Sequence, residues 1–224
     1  FGWGVAEQNT VSSQLERKVA MSLSSQVHVL NSGVGNYNTA MEVAWFEKYG
    51  LDMRPDIVVL NMFINDAEPT PIYTNIHWWD KYLYSRIIFF GAFDTLSRRL
   101  LGEADWQTYY NSLYQESADG WLQMQNSVSK LVELCEEKDI QLVLANYPEL
   151  RQLNPYPFND INTKLSMLAS KHNTPYINLL DSVDIMDPRT LWVSRPDPHP
   201  NSRATSLFSN ALKVKIVEDF QYMF

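Results

Sequence analysis

Residues 55–66 read PDIVVLNMFIND. The first nine, PDIVVLNMF, are a near-continuous apolar run of strand length, the pattern of a strand covered on both faces. Such strands lie in sheets sandwiched between helices. The run ends on Asn65 and Asp66, two polar residues just past the carboxyl end of the strand, where open α/β sheets bind their ligands.

Working outward, the chain alternates. Residues 10–24, TVSSQLERKVAMSLS, read as a helix capped by Thr10 or Asn9, with Val11, Leu15, Val19 and Leu23 on one face. VHVLNSG (27–33) reads as a strand running into a glycine-rich turn, and NTAMEVAWFEKYG (38–50) as a helix with an Asn/Thr start and a Gly stop. Beyond the central strand, residues 67–118 form an aromatic-rich, mostly helical insertion entered through Pro69 and Pro71. Regularity returns with a helix at 120–138, a strand at 141–147, a helix near 159–172, a short strand at 175–179 and a final helix from about 201 to 222. Alternating strands and helices predict a single α/β domain with a mostly parallel sheet.

Composition excludes several classes. The 224 residues carry a net charge of −8 and no run of basic residues longer than Arg98-Arg99, so the basic footprint of a nucleic-acid partner is missing. The single Cys135 supports neither a disulfide framework nor a multi-cysteine zinc site. No HxH or HExxH spacing points to a metal, and no GxGxxG, P-loop or GxSxG pattern points to a nucleotide or to the usual α/β-hydrolase elbow. The most membrane-like stretch, WWDKYLYSRIIFFGAF (78–93), contains Asp80, Lys81 and Arg86 and is too short to span a bilayer. It reads as a helix packed on the domain, with an interfacial helix as the alternative; membrane association is neither indicated nor excluded.

Three polar clusters follow the strands: NSGVGNYNT (31–39), FIND (63–66) and RPDPHPN (195–201). Each has a purely structural reading. Gly33 and Gly35 suit a tight turn, Asn65 and Asp66 suit an Asx turn, and Asp197 or Asn201 suits the cap of the last helix. His28, His77 and His172 stand outside these clusters. Convergence of all three on one sheet edge is what speaks for a site.

The succession FGWGV, LNSGVGNYNT, PDIVVLNMFIND and DPHPN resembles the SGNH (GDSL) hydrolases nearly end to end. The resemblance implies a three-layer α/β/α fold with a flavodoxin-like sheet, and a serine esterase that needs no cofactor or metal. His199 then matches the general base and Asp197 the residue that orients it. Asp197 stands two residues before His199 instead of the usual three, which leaves a backbone carbonyl as an alternative partner. Asn65 matches the side-chain donor of the oxyanion hole, and Gly35 and Asn36 are joint candidates for its backbone donor. Tyr147, Trp78 and Trp79 are candidates for a pocket wall. Gly2, Trp3, Gly4 and Val5 match the tail of the nucleophile loop, so a first strand and a Gly-Asp-Ser block are expected upstream of Phe1. By themselves the 224 residues are then expected to be inactive in ester hydrolysis. The implied substrate is a small-molecule, glycan or lipid ester. Transfer of an acyl group to a polysaccharide, and a non-catalytic carbohydrate- or lipid-binding role, are the alternatives.

Overall fold

The computed structural model describes residues 2–70, 103–220 and 223. Its centre is a parallel sheet in which β1 (Ile57–Met62) pairs with β2 (Gln141–Asn146), and β2 with β3 (Tyr176–Asn178). The register runs Ile57 to Gln141 through Met62 to Asn146, and Leu144 to Tyr176 through Asn146 to Asn178. Leu142 to Asn146 are all buried, which requires that both faces of β2 be covered. Met62, Val143, Leu144 and Ala145 lie at the centre of the core with no solvent exposure beyond a trace.

Among the described residues are six α-helices, several of which start at a cap the sequence supplies or bury a periodic stripe. In α1 (Val11–Leu23) the Thr10 hydroxyl accepts from the Ser13 N–H at 3.2 Å, satisfying one of the orphan donors of the first turn. In α2 (Thr39–Trp45), which runs on through a π-turn at Phe46–Gly50, Asn38 does the same for Met41 at 2.9 Å. The helix α3 covers Glu103–Leu113. In α4 (Asp119–Glu137) the buried residues Trp121, Met124, Val128, Leu131 and Cys135 recur at three- and four-residue steps, one stripe facing the core. The last two long helices, α5 (Asn159–Lys171) and α6 (Ser202–Phe220), bury Ile161, Leu165 and Leu168, and Phe208, Leu212 and Ile216. The remaining helical segments are short 3₁₀ turns.

Helix α1 packs along α6, and the contact is partly polar. Gln14, buried, donates to the Thr205 hydroxyl at 3.0 Å, and the Lys18 ammonium reaches the Ser206 carbonyl at 2.6 Å and the Ser209 hydroxyl at 2.8 Å.

Two expectations are corrected. Residues 27–33 are extended, with Val27 and Val29 against the core and His28 and Leu30 outward, but they form no strand. A strand exists only by pairing, and among the described residues the ladder of β1 goes to β2 while 27–33 joins no ladder. The Val29 N–H is satisfied instead by the Glu16 carboxylate at 2.7 Å. Conversely, residues 192–200, where the sequence reading placed no strand, form an antiparallel hairpin of β4 (Trp192–Ser194) and β5 (Asp197–Pro200), with an irregular register between Trp192 and Ser194. Of the insertion at 67–118, residues 71–102, including Trp78 and Trp79, lie outside the described residues. Tyr114, near its far end, is buried in the core.

Candidate active site

Asn65 sits in a turn that follows β1 and is fixed from three sides. The Asp66 N–H donates to the Phe63 carbonyl at 2.9 Å, the Asp66 carboxylate accepts from the Phe63 N–H at 2.9 Å, and the Tyr114 hydroxyl donates to the Phe63 carbonyl at 3.2 Å. Asn65 itself is half-buried, and its side-chain amide has no hydrogen-bond partner among the described residues. A fixed backbone with an uncommitted amide is what a preorganised donor requires.

The second loop, 31–36, is exposed and built from local turns. The Gly33 N–H donates to the Asn31 side chain at 3.2 Å, and the Tyr37 N–H to the Val34 carbonyl at 3.4 Å. Gly35 and Asn36 form the middle of that second turn, with Asn36 at φ 64°, a left-handed conformation that Asn adopts readily. Asn38 ties this loop to the first one. While its side-chain oxygen caps α2, its amide donates to the Glu68 carbonyl at 2.8 Å.

The third cluster is the hairpin. Asp197 and His199 are two apart on β5, and alternate residues of a strand share a face. The two-residue spacing therefore sets both side chains on one face of the strand. The Asp197 carboxylate contacts His199 Nδ1 and also accepts the His199 backbone N–H at 3.1 Å. The His199 hydrogen bond is the chief reason the Asp197 carboxyl is held below its usual range. Asn201 anchors the base of the hairpin. Its amide donates to the Thr190 and Trp192 carbonyls, each at 3.0 Å, while its oxygen accepts from Arg203 and Ala204 at the start of α6 at 3.0 and 3.1 Å.

Two further links tie the segments around the strand ends together. The Tyr147 N–H donates to the Met62 carbonyl at 2.8 Å, joining the ends of β1 and β2, and the Trp192 indole donates to the Leu150 carbonyl at 2.8 Å, joining the hairpin to the loop after β2. Tyr147 packs edge-on against Phe208, with ring centroids 5.3 Å apart, and burial pushes its hydroxyl up. The neighbouring Glu149 is buried and paired with Arg151 at 2.6 Å. Asn65 and the 31–38 loop thus form one connected group, and His199 and Asp197 another.

Two residues escaped the sequence reading. Trp3 lies with its ring centroid 6.0 Å from that of His199 and its side chain hydrogen-bonds Asp197; its place between Gly2 and Gly4 was the available signal. Glu42, on α2, is half-buried, and its buried Oε2 atom has no hydrogen-bond partner among the described residues. Burial, with the nearby Asp66 carboxylate adding to it, pushes Glu42 up to about 8, and burial pushes Asp66 up to about 7. Among the described residues there is no group of three or more His, Cys, Asp or Glu side chains fit to hold a metal ion, and no helix long and apolar enough to cross a membrane.

The parallel sheet and the helices that cover it form an α/β fold like that of a solved G-D-S-L protein. A solved structure assigned to the lipolytic G-D-S-L family, from Desulfitobacterium hafniense DCB-2, matches it with a TM-score of 0.55 over 96% of this chain and 93% of that one, at 14% identity. At that identity the likeness is one of fold. No family model and no curated protein matches the chain.

Proposed function

We propose that the protein is an SGNH-type ester hydrolase that works through an acyl-enzyme. The observation that carries this reading is the His199–Asp197 pair on β5, taken with the uncommitted amide of Asn65 in the turn after β1. A serine on the residues preceding Phe1 is the nucleophile. The contact of the Trp3 turn with His199 supports this, because it brings the chain just after that serine to the general base.

In the first step His199 takes the serine proton as the hydroxyl attacks the ester carbonyl. Asp197 holds the ring in the tautomer that leaves Nε2 free and stabilises the imidazolium that forms. Asn65, with a backbone N–H of Gly35 or Asn36, donates to the oxyanion. His199 then returns the proton to the departing alcohol, and water repeats the sequence on the acyl-enzyme. The substrate is a carboxylic ester of a sugar, lipid or small alcohol.

Fluorophosphonate labelling of the natural gene product, with the modified peptide located by mass spectrometry, tests the reading. Label on a serine just before the Phe1–Val5 segment, lost in His199→Ala, is expected. Absence of label on folded protein overturns it in favour of a carbohydrate- or lipid-binding domain.

A further inference from the structure

Trp3 makes two separate contacts with the pair that would move the proton. Its side chain hydrogen-bonds the Asp197 carboxylate, and as indole carries only an N–H donor, the indole is the donor. Its ring lies beside the His199 imidazole at 6.0 Å between centroids, tilted by 41°. Asp197 therefore receives donors from two sides: His199 through Nδ1 and the backbone, and Trp3 through the indole.

The ring is placed by its backbone and not by burial, since Trp3 is 58% exposed. The Val5 N–H closes a turn onto the Gly2 carbonyl at 3.4 Å, and Gly4, at φ 75°, is pressed against Val193 of β4. The turn thus docks on the same hairpin that carries His199. An exposed indole on a rigid turn, aimed at a carboxylate, has little reason to be there for the core. It is placed for the pair.

We infer that Trp3 is a positioning residue for the Asp197–His199 pair: its indole N–H holds the carboxylate against Nδ1 while its ring braces the imidazole. A carboxylate fixed by a second donor cannot swing away to solvent when His199 becomes charged, and the imidazole keeps one orientation through proton uptake and release. The consequence for turnover rests on the esterase reading; the coupling of Trp3 to Asp197 does not.

The test uses the chain with ¹³C-labelled Asp and ¹⁵N-labelled His, followed by NMR across pH. Trp3→Phe keeps a ring and removes the N–H. The expected result is that Asp197 titrates at a higher pH than in the native protein, because a donor to its charged form is gone, and that the His199 ring signals shift while those of His28 and His172 stay. Titration of Asp197 and His199 unchanged from native overturns the inference. A second measurement needs no variant: the Trp3 indole N–H resonance of the native protein follows the Asp197 titration with the same midpoint, and an indole signal that ignores it overturns the inference as well. In the natural gene product Trp3→Phe lowers kcat at unchanged KM. Absence of fluorophosphonate label would leave both titrations standing, so the two failures are told apart.

Discussion

Gly4 and Val193 touch so closely that a Cβ built on Gly4 would come within 2.7 Å of the valine Cγ2. Gly4 is also at φ 75°, where an L side chain is strained. Gly4→Ala is therefore expected to destabilise the protein by about 1–3 kcal/mol, the range of overpacking, and to lift the Trp3 turn from the hairpin. Adding Val193→Ala should restore part of the loss, because the clash goes and the backbone strain stays. Urea melts of the two single variants and the double variant give the coupling.

Asn65→Ala separates chemistry from stability. The amide has no partner to lose among the described residues, so the melting temperature should stay near that of the native protein. Loss of one oxyanion donor should lower kcat by about 10²–10³ in the natural gene product. Steady-state kinetics and a thermal melt on the same sample check both halves.

Asn38→Ala should act the other way round. It removes the cap of α2 and the link to the Glu68 carbonyl at 2.8 Å, a stability loss of about 1 kcal/mol for the cap alone. Because that link joins the two loops offered for the oxyanion hole, activity should fall as well, though by less than for Asn65→Ala.

Glu42 and Asp66 predict an unusual stability profile. Unfolded, each carboxyl releases its proton near pH 4; folded, burial raises Asp66 to about 7 and Glu42 to about 8. Between those limits the folded chain holds more protons than the unfolded one, so this contribution is fully present below about pH 4 and is lost as the pH rises through about 8. A slope of up to about 2–3 kcal/mol per pH unit is expected between about pH 5 and 7, where both carboxyls differ, and about half that above it. Glu42→Gln, which cannot ionise, should flatten it. Denaturant melts at stepped pH measure the difference.

Gly120, in the first turn of α4, abuts the loop that follows Asn65. A Cβ there would overlap the Ala67 carbonyl oxygen, and backbone cannot yield as a side-chain tip can. Gly120→Ala should cost at least about 1–3 kcal/mol despite the gain in helix propensity, and chemical denaturation will show it.

Where the sequence was legible, periodicity and punctuation carried it. The stripe Trp121, Met124, Val128, Leu131 and Cys135 names α4, and the run from Ile57 to Met62 names the buried strand. Asn65, Asp197 and His199 stood out as candidates because each follows a strand or precedes a helix. The failures have one cause, that pairing is a relation between distant segments. Val27 to Leu30 alternates like a strand yet has no ladder, and the prolines around Asp197 hid a hairpin whose partner strand is only three residues long. Trp3 and Glu42 gain their meaning from groups far along the chain, His199 and Asp66, which no local pattern displays.

The packing of α1 on α6 has a consequence for when the protein becomes competent. The contacts Gln14 to Thr205 and Lys18 to Ser209 each close a loop of 191 residues, and Trp3 meets His199 only after the same closure. Contacts so distant in sequence carry a large entropic cost and form late. On the ribosome the sheet and its helices can therefore form before the Trp3 turn meets His199, and the seam between α1 and α6 closes only after Ser209 has left the tunnel.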